Sequence, residues 1–406
     1  MKDRSNMKMK WCYAILISML VMTVPGSSSA IVNNEGPSGE SSLKIISPEQ
    51  TFKAALMVGG DETDLGFSYL AIQGMNLLRD KYGWEISISR KVQFPDQSRI
   101  ASELASENDV VFAVGGQFIE TLIFPPVANN FNDTFFVQIP GIEVNEYFNP
   151  IPHNVVGLDP SFQTIGHYLA GVLAGQMTTT NRLGVIFGEW FPYLSMEFYA
   201  FKAGVESVND DALVFTRVAG SWGDASLGKQ ITQALINQKN VDIIVQVADT
   251  TGRGVIAAVQ ENNISVIGTV GDQATLAPDV TMTSIGMDTP LLMEIVAQRI
   301  ENGTAKSVLG GTSWDLPIGN FLYPYHEYDD IIPQAVKDSV DQAKADIESG
   351  LIVVPRTVTD DPPADPDPTN LTTKDTNTGI PGFQFLDIMA LTTVIGIFIV
   401  MRRRRK

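Results

Sequence analysis

The chain of 406 residues is 44% hydrophobic and 18% charged, a globular composition, and at about 150 residues per domain its length predicts two to three domains. Nine of its 28 basic residues lie at the two ends, so residues 31–401 carry 19 Lys and Arg against 45 Asp and Glu, a net charge of −26. A middle that acidic repels phosphate backbones, which argues against a nucleic-acid partner.

In chain order, Lys8 and Lys10 precede an apolar stretch from Trp11 to Val24, then Pro25 and the small residues Gly26 to Ala30. This is the build of a signal peptide over residues 1–30, because the apolar run is shorter than the roughly 20 residues a membrane span needs. The single cysteine, Cys12, lies inside that run, so cleavage near Ala30 leaves no cysteine for disulfides, thiol catalysis or cysteine–metal sites. Residues 31–51 read as a linker.

From Phe52, short runs rich in Val, Ile and Phe alternate with amphipathic stretches of helical length. The predicted strands are 52–58, 84–92, 109–114, 135–139, 154–158, 182–187, 212–218, 241–247, 265–268 and 281–285; helices are predicted at 67–81, 162–177, 195–209, 229–238 and 252–262. Such alternation implies right-handed βαβ units, with parallel sheets flanked by helices. Ten strands exceed one ordinary doubly wound sheet, so two α/β lobes are expected. Lobe 1 is placed at 52–156, joined by part of 286–330, and lobe 2 at 157–285, with 286–356 as a crossover and C-terminal helix completing both. Residues 357–382, rich in Pro, Asp and Thr, read as a linker. Residues 383–401 are predominantly apolar, with Asp387 as their only charge, and precede Arg402 to Lys406, the pattern of a transmembrane helix (383–401) with a cytoplasmic basic stop (402–406), which leaves the globular part outside. Pro381-Gly382-Phe383, the apolar stretch and the Arg cluster are similar to the PGF-type sorting tails of archaeal surface proteins. Sequons at Asn132, Asn263, Asn302 and Asn370 are compatible with an exterior location.

Two α/β lobes imply a cleft whose ligand contacts come from loops at the carboxyl ends of strands. Those loops read GGDETDLGF (59–67), GGQFIE (115–120), GEWFPY (188–193), AGSWGD (219–224), ADTTGRG (248–254) and GTVGDQ (268–273). Enzyme signatures are missing: His153, His167 and His326 are scattered, and no G-x-S-x-G elbow, Walker A sequence or complete dinucleotide fingerprint occurs.

DLGFSYLAIQG (64–74) resembles the first loop and helix of the basic membrane protein family, the nucleoside-binding lipoprotein type of ABC solute receptor, whose usual form is D-x-S-F-N-x-x-x-x-E-G. AGSWGDASLGKQ (219–230), VDIIVQVADTTGRGVIAAVQENN (241–263), IGTVGDQ (267–273) and IESGLIVVP (347–355) are similar to four further motifs of that family, in order. The resemblance implies a two-lobed, type I periplasmic-binding-protein-like fold, no cofactor, no enzymatic activity, a purine or other nucleoside as ligand, and ABC permease and ATPase subunits as partners. A surface sensor or accessory ectodomain binding a related ligand is the alternative. Carried over residue by residue, Phe67 and Trp222 are the two jaws that sandwich the base, Glu120 stands where a carboxylate accepts from a base N–H, and Asp61, Asp64 and Ser68 are ligand contacts of the first loop. Asp249, Thr250 and Asp272 belong to the loops on the sugar side. The first-loop acids also suit Asx-turn or helix-cap duty, and Phe67 suits a core aromatic at a strand–helix junction. The chain departs from the pattern at Ser68 (family Asn), at Ala248-Asp249-Thr250 (family A-G-G), at Val270 (family Asp) and in lacking a Lys near 285–288, which leaves the ligand's identity open.

Overall fold

The computed structural model describes residues 51–60, 65–123, 127–142, 150–158, 163–316 and 320–366, all within the unit that begins at Thr51. The signal peptide, the membrane helix at 383–401 and the basic stop lie outside the described residues. Among the described residues, no helix is long and apolar enough to cross a membrane.

All ten predicted strands form. β1 (Lys53–Val58), β2 (Glu85–Ser89), β3 (Val110–Val114), β4 (Phe135–Ile139) and β5 (Val155–Leu158) build a first sheet. The second contains β6 (Arg182–Phe187), β7 (Leu213–Val218), β8 (Ile243–Val247), β9 (Ser265–Val270) and β10 (Thr281–Met287). Two three-residue strands extend them: β11 (Thr312–Trp314) joins the first sheet and β12 (Asn320–Leu322) the second. The orders are β11-β5-β4-β3-β1-β2, wholly parallel, and β12-β10-β9-β8-β6-β7, parallel except for β12. In each sheet the winding reverses between the first strand and its inner neighbour. Val58 pairs with Val114 and Phe187 with Val247, so the loops leaving β1 and β3, and those leaving β6 and β8, emerge side by side. Ligands of open parallel sheets bind at such reversals.

The helices are α1 (Phe67–Tyr82), α2 (Gln97–Glu107), α3 (Ile119–Ile123), α4 (Thr164–Met177), α5 (Pro192–Glu206), α6 (Ala225–Lys239), α7 (Asp249–Asn262), α8 (Thr289–Glu301), α9 (Ala305–Val308) and α10 (Gln334–Glu348). They bury both faces of each sheet, which is why the strands read as unbroken apolar runs. On the first sheet, Leu56, Phe112 and Val137 pack with Met75 and Leu78 of α1 and Leu292 and Val296 of α8, while Met57, Val111 and Phe136 face Ala101 and Ala105 of α2. On the second, Val185, Val245 and Ile267 meet α4, α5 and α10, and Ile186, Ile244 and Val266 meet Leu235 of α6 and Val255 and Val259 of α7. Each such side chain contributes about 1.5–3 kcal/mol on burial. Helix α8 thus follows a strand of the second sheet but packs on the first. Asp224 and Asp288 cap α6 and α8, accepting from the backbone N–H of Leu227 (2.9 Å) and Leu291 (3.0 Å). Asn132, Asn263 and Asn302 are all exposed.

Residues 357–366, the start of the Pro-, Asp- and Thr-rich segment, have neither helix nor strand, yet they are seated on the second sheet's lobe. Ser195 Oγ donates to Thr357 O (3.0 Å) and accepts from Thr359 N (2.9 Å), and Trp190 Nε1 donates to Thr359 O (3.3 Å). Asp365 takes both Arg217 (2.6 and 3.2 Å) and Lys239 (2.8 Å). The Arg217 hydrogen bond leads in holding its carboxyl down to about 2, from an ordinary 3.8. Its contribution is therefore present above pH 3.8 and is lost as the pH falls toward 2. Because Asp365 is partly exposed, the pairs contribute up to about 1 kcal/mol. At neutral pH, Asp365→Asn is expected to speed limited proteolysis within 357–366 by roughly two- to fivefold; equal cleavage of both proteins would show that the ion pairs do not hold the segment.

Candidate functional site

The first lobe presents the loop after β1 and the start of α1. Asp61 and Asp64 lie outside the described residues. Phe67 is the first residue of α1, half-buried, and packs against the cores of both sheets, which puts it between the lobes. Its neighbour Ser68 is buried and accepts from Gly60 N at 3.1 Å, so its hydroxyl pins the loop back onto α1. Glu120 stands exposed in the first turn of α3, just beyond β3.

The second lobe gathers Trp222, Asp249 and Thr250. The loops after β7 and β8 are tied together: Thr251 N donates to Trp222 O (3.0 Å), Thr251 Oγ1 to Ser221 O (2.8 Å), and Asp224 N to Thr251 Oγ1 (2.8 Å). Trp222 is half-buried against the same core cluster that Phe67 touches, and its Nε1 donates to Glu189 Oε2 at 3.0 Å. Asp249 and Thr250 open α7 and are half-buried. The hydroxyl of Tyr193, from the first turn of α5, is pushed well up, chiefly by burial, with Glu197, Glu189 and Asp249 nearby. Asp249 and Glu189, on two different loops, thus lie within electrostatic reach of one aromatic.

Asp272 lies on the neighbouring loop, after β9. Its Oδ1 accepts from Ala274 N (3.1 Å) and its Oδ2 lies 2.7 Å from Nε2 of His326, both side chains about a third exposed. It also belongs with Tyr323, which burial, then Asp272, Asp288 and Tyr69, push up to about 12. Beneath it, Gln273 is buried, accepting from Gln246 Nε2 and Thr269 N while its own N–H donates to Ser284 Oγ (3.0 Å). This network holds the loops after β8 and β9 to the sheet.

Two glycines mark places where the lobes come into contact. A Cβ on Gly271, after β9, would stand 1.9 Å from Leu65 O in the loop after β1, and one on Gly116, after β3, would stand 2.6 Å from the Tyr193 hydroxyl. Of the non-glycine residues with positive φ, Leu65 (56°) and Val270 (71°) are the only apolar ones among the described residues, and both lie at the first contact. A branched side chain in that region costs about 1–3 kcal/mol and persists where surrounding structure demands it. Strained backbone thus flanks this contact on both sides.

Among the described residues, no group of three or more His, Cys, Asp and Glu could hold a metal ion. Glu189, Tyr193 and His326 are not singled out from sequence. The first two lie inside GEWFPY, where the loop is legible but not which side chain turns inward. His326 reaches Asp272 across 54 positions with no local signal.

Two largely parallel sheets flanked by helices, with strand-end loops between them, define a two-lobed α/β architecture. The architecture is similar to ABC transporter system solute-binding proteins from Aeropyrum pernix (TM-score 0.63, 18% identical, covering 76% of this chain and 94% of that one) and Conexibacter woesei (TM-score 0.60, 21%, 76% and 100%). The fold is the type I periplasmic-binding-like fold expected from the sequence. The chain belongs to the Bmp family of PnrA-like ABC transporter substrate-binding proteins, whose family model matches residues 51–320. Relatives include basic membrane protein A of Borreliella afzelii, 23% identical over 78% of this chain and 94% of that one, and a purine-binding protein of Brucella abortus, 24% identical over 74% and 82%. The family is one of substrate-binding proteins.

Proposed function

We propose that this protein captures a nucleoside-like small molecule, a purine nucleoside first among them, outside the cell and passes it to the permease and ATPase subunits of an ABC importer. The apolar segment at 383–401 tethers it to the membrane by the C-terminus. The observation that carries the reading is the placement of Phe67 against both cores, with Trp222 on the opposite lobe packed on one of the same clusters. Two such rings suit a flat heterocycle, and stacking on one contributes about 1–3 kcal/mol. The polar groups around them are acceptors: Asp249 and Asp272 take sugar hydroxyls, with Thr250 beside Asp249, and Glu120, Asp61 and Asp64 take base N–H groups. The carboxylates of these loops, Glu189, Asp249 and Asp272, disfavour a phosphate, so a nucleoside fits better than a nucleotide. The purine-binding relative supports the base.

Calorimetry with a panel of purine and pyrimidine nucleosides tests it. Guanosine, adenosine or inosine is expected to bind, and Phe67→Ala to weaken that binding by about 1–3 kcal/mol. A panel that gives neither heat nor a thermal shift overturns the nucleoside assignment and leaves the fold and family as they are.

A further inference from the structure

We propose that Glu189 is the positioning residue for the Trp222 ring, holding it ready to stack before any ligand arrives; the proposal rests on the reading that Trp222 is one jaw of the site. An indole on a surface loop has two side-chain rotors, and ordering it at the moment of binding subtracts from affinity. Here three contacts order it in the ligand-free chain. Its backbone carbonyl takes the Thr251 N–H at 3.0 Å. One ring edge lies on Gly188, so closely that a Cβ there would stand 2.4 Å from Cε3 and 2.7 Å from Cδ2. Its Nε1–H donates to Glu189 Oε2 at 3.0 Å, a bond to a charged acceptor and so stronger than a neutral one.

The platform under the ring is itself anchored. Gly188 N donates to Val247 O (2.9 Å) and Ser221 N to Gly188 O (2.8 Å), which fastens the loops after β6 and β7 to each other and to β8. Gly188 thus sets the height of the ring and Glu189, the next residue, its rotation. Nothing in the loop's composition distinguishes Glu189 from a solvated acid; the direction of the Trp222 N–H does. Glu189 acts through Trp222.

The test uses the full chain with guanosine and adenosine as probes, together with the indole N–H resonance of Trp222 in the ligand-free protein. Trp222→Phe assigns that resonance among the five tryptophans. Glu189→Gln keeps an acceptor oxygen and is expected to leave the resonance in place and affinity within about twofold. Glu189→Ala is expected to shift or broaden the resonance and to weaken binding by about three- to tenfold, the cost of ordering one large side chain. Gly188→Ala is expected to displace the resonance as well. Glu189→Ala added to Trp222→Ala is expected to cost nothing further, since both remove one ring placement. An unmoved Trp222 resonance in Glu189→Ala overturns the proposal, and so does a loss that adds in full to that of Trp222→Ala. Should the native protein bind neither probe, the nucleoside reading falls, and the resonance alone decides for or against Glu189.

Discussion

Gly271→Ala is expected to weaken ligand binding by roughly five- to 150-fold while leaving the melting temperature within a few degrees of the native value. The added methyl would stand 1.9 Å from Leu65 O and 3.0 Å from Leu65 C, atoms of backbone that cannot swing aside as a side chain could. Overpacking costs about 1–3 kcal/mol, and a backbone neighbour places this change at the upper end. The two loops belong to different lobes, so the strain is relieved by separating them rather than by unfolding either core. Apparent affinity falls in proportion to the fraction of molecules with the lobes together. Small-angle scattering of the variant should show a larger radius of gyration with ligand present than the native protein has. Unchanged affinity, or a melting temperature that collapses with it, would show that the contact is not what limits lobe closure.

Glu197→Gln is expected to stabilise the protein increasingly as the pH rises. Glu197 on α5 and His167 on α4 are both wholly buried, with His167 Nε2 3.3 Å from Glu197 Oε2 and Nδ1 2.9 Å from Gln163 O. The Nδ1–H donates to the carbonyl, leaving Nε2 facing a carboxyl that is best kept protonated. Burial pushes Glu197 well above its ordinary 4.5, and pushes His167 from 6.5 down to about 4 against the Gln163 bond. The signs oppose. A raised acid contributes fully below pH 4.5 and loses its contribution as the pH climbs toward the folded value. A depressed histidine contributes fully above pH 6.5 and loses its contribution as the pH falls toward 4. Each changes stability by about 1.4 kcal/mol per pH unit inside its window, so where the two windows overlap their slopes cancel. Glutamine fills the same space but does not titrate. Urea unfolding is expected to show its advantage over the native protein growing as the pH rises above 4.5. Parallel profiles would mean that Glu197 is ionised in the fold.

The strands were legible because each is buried on both faces: Phe135–Ile139 and Arg182–Phe187 stand out as apolar runs, whichever helix covers them. β11 and β12 were not, since three residues such as Thr312–Trp314 carry no period and are held in place by a partner strand. Of the site, the loops were legible by their position after strands. Phe67 and Trp222 were singled out by family resemblance, and their roles on a ligand stand as proposals.

What the sequence determined by itself is the alternation of strand and helix, the number of sheets and the loops from which a ligand site must come, because burial period and turn chemistry are local. Only the tertiary structure decided which lobe claims α8, that His326 meets Asp272, and that Glu189 rather than another acid turns toward Trp222. Those outcomes depend on where chain crossovers bring segments tens to hundreds of residues apart, and no local pattern of residues encodes the direction in which a loop side chain finds its partner.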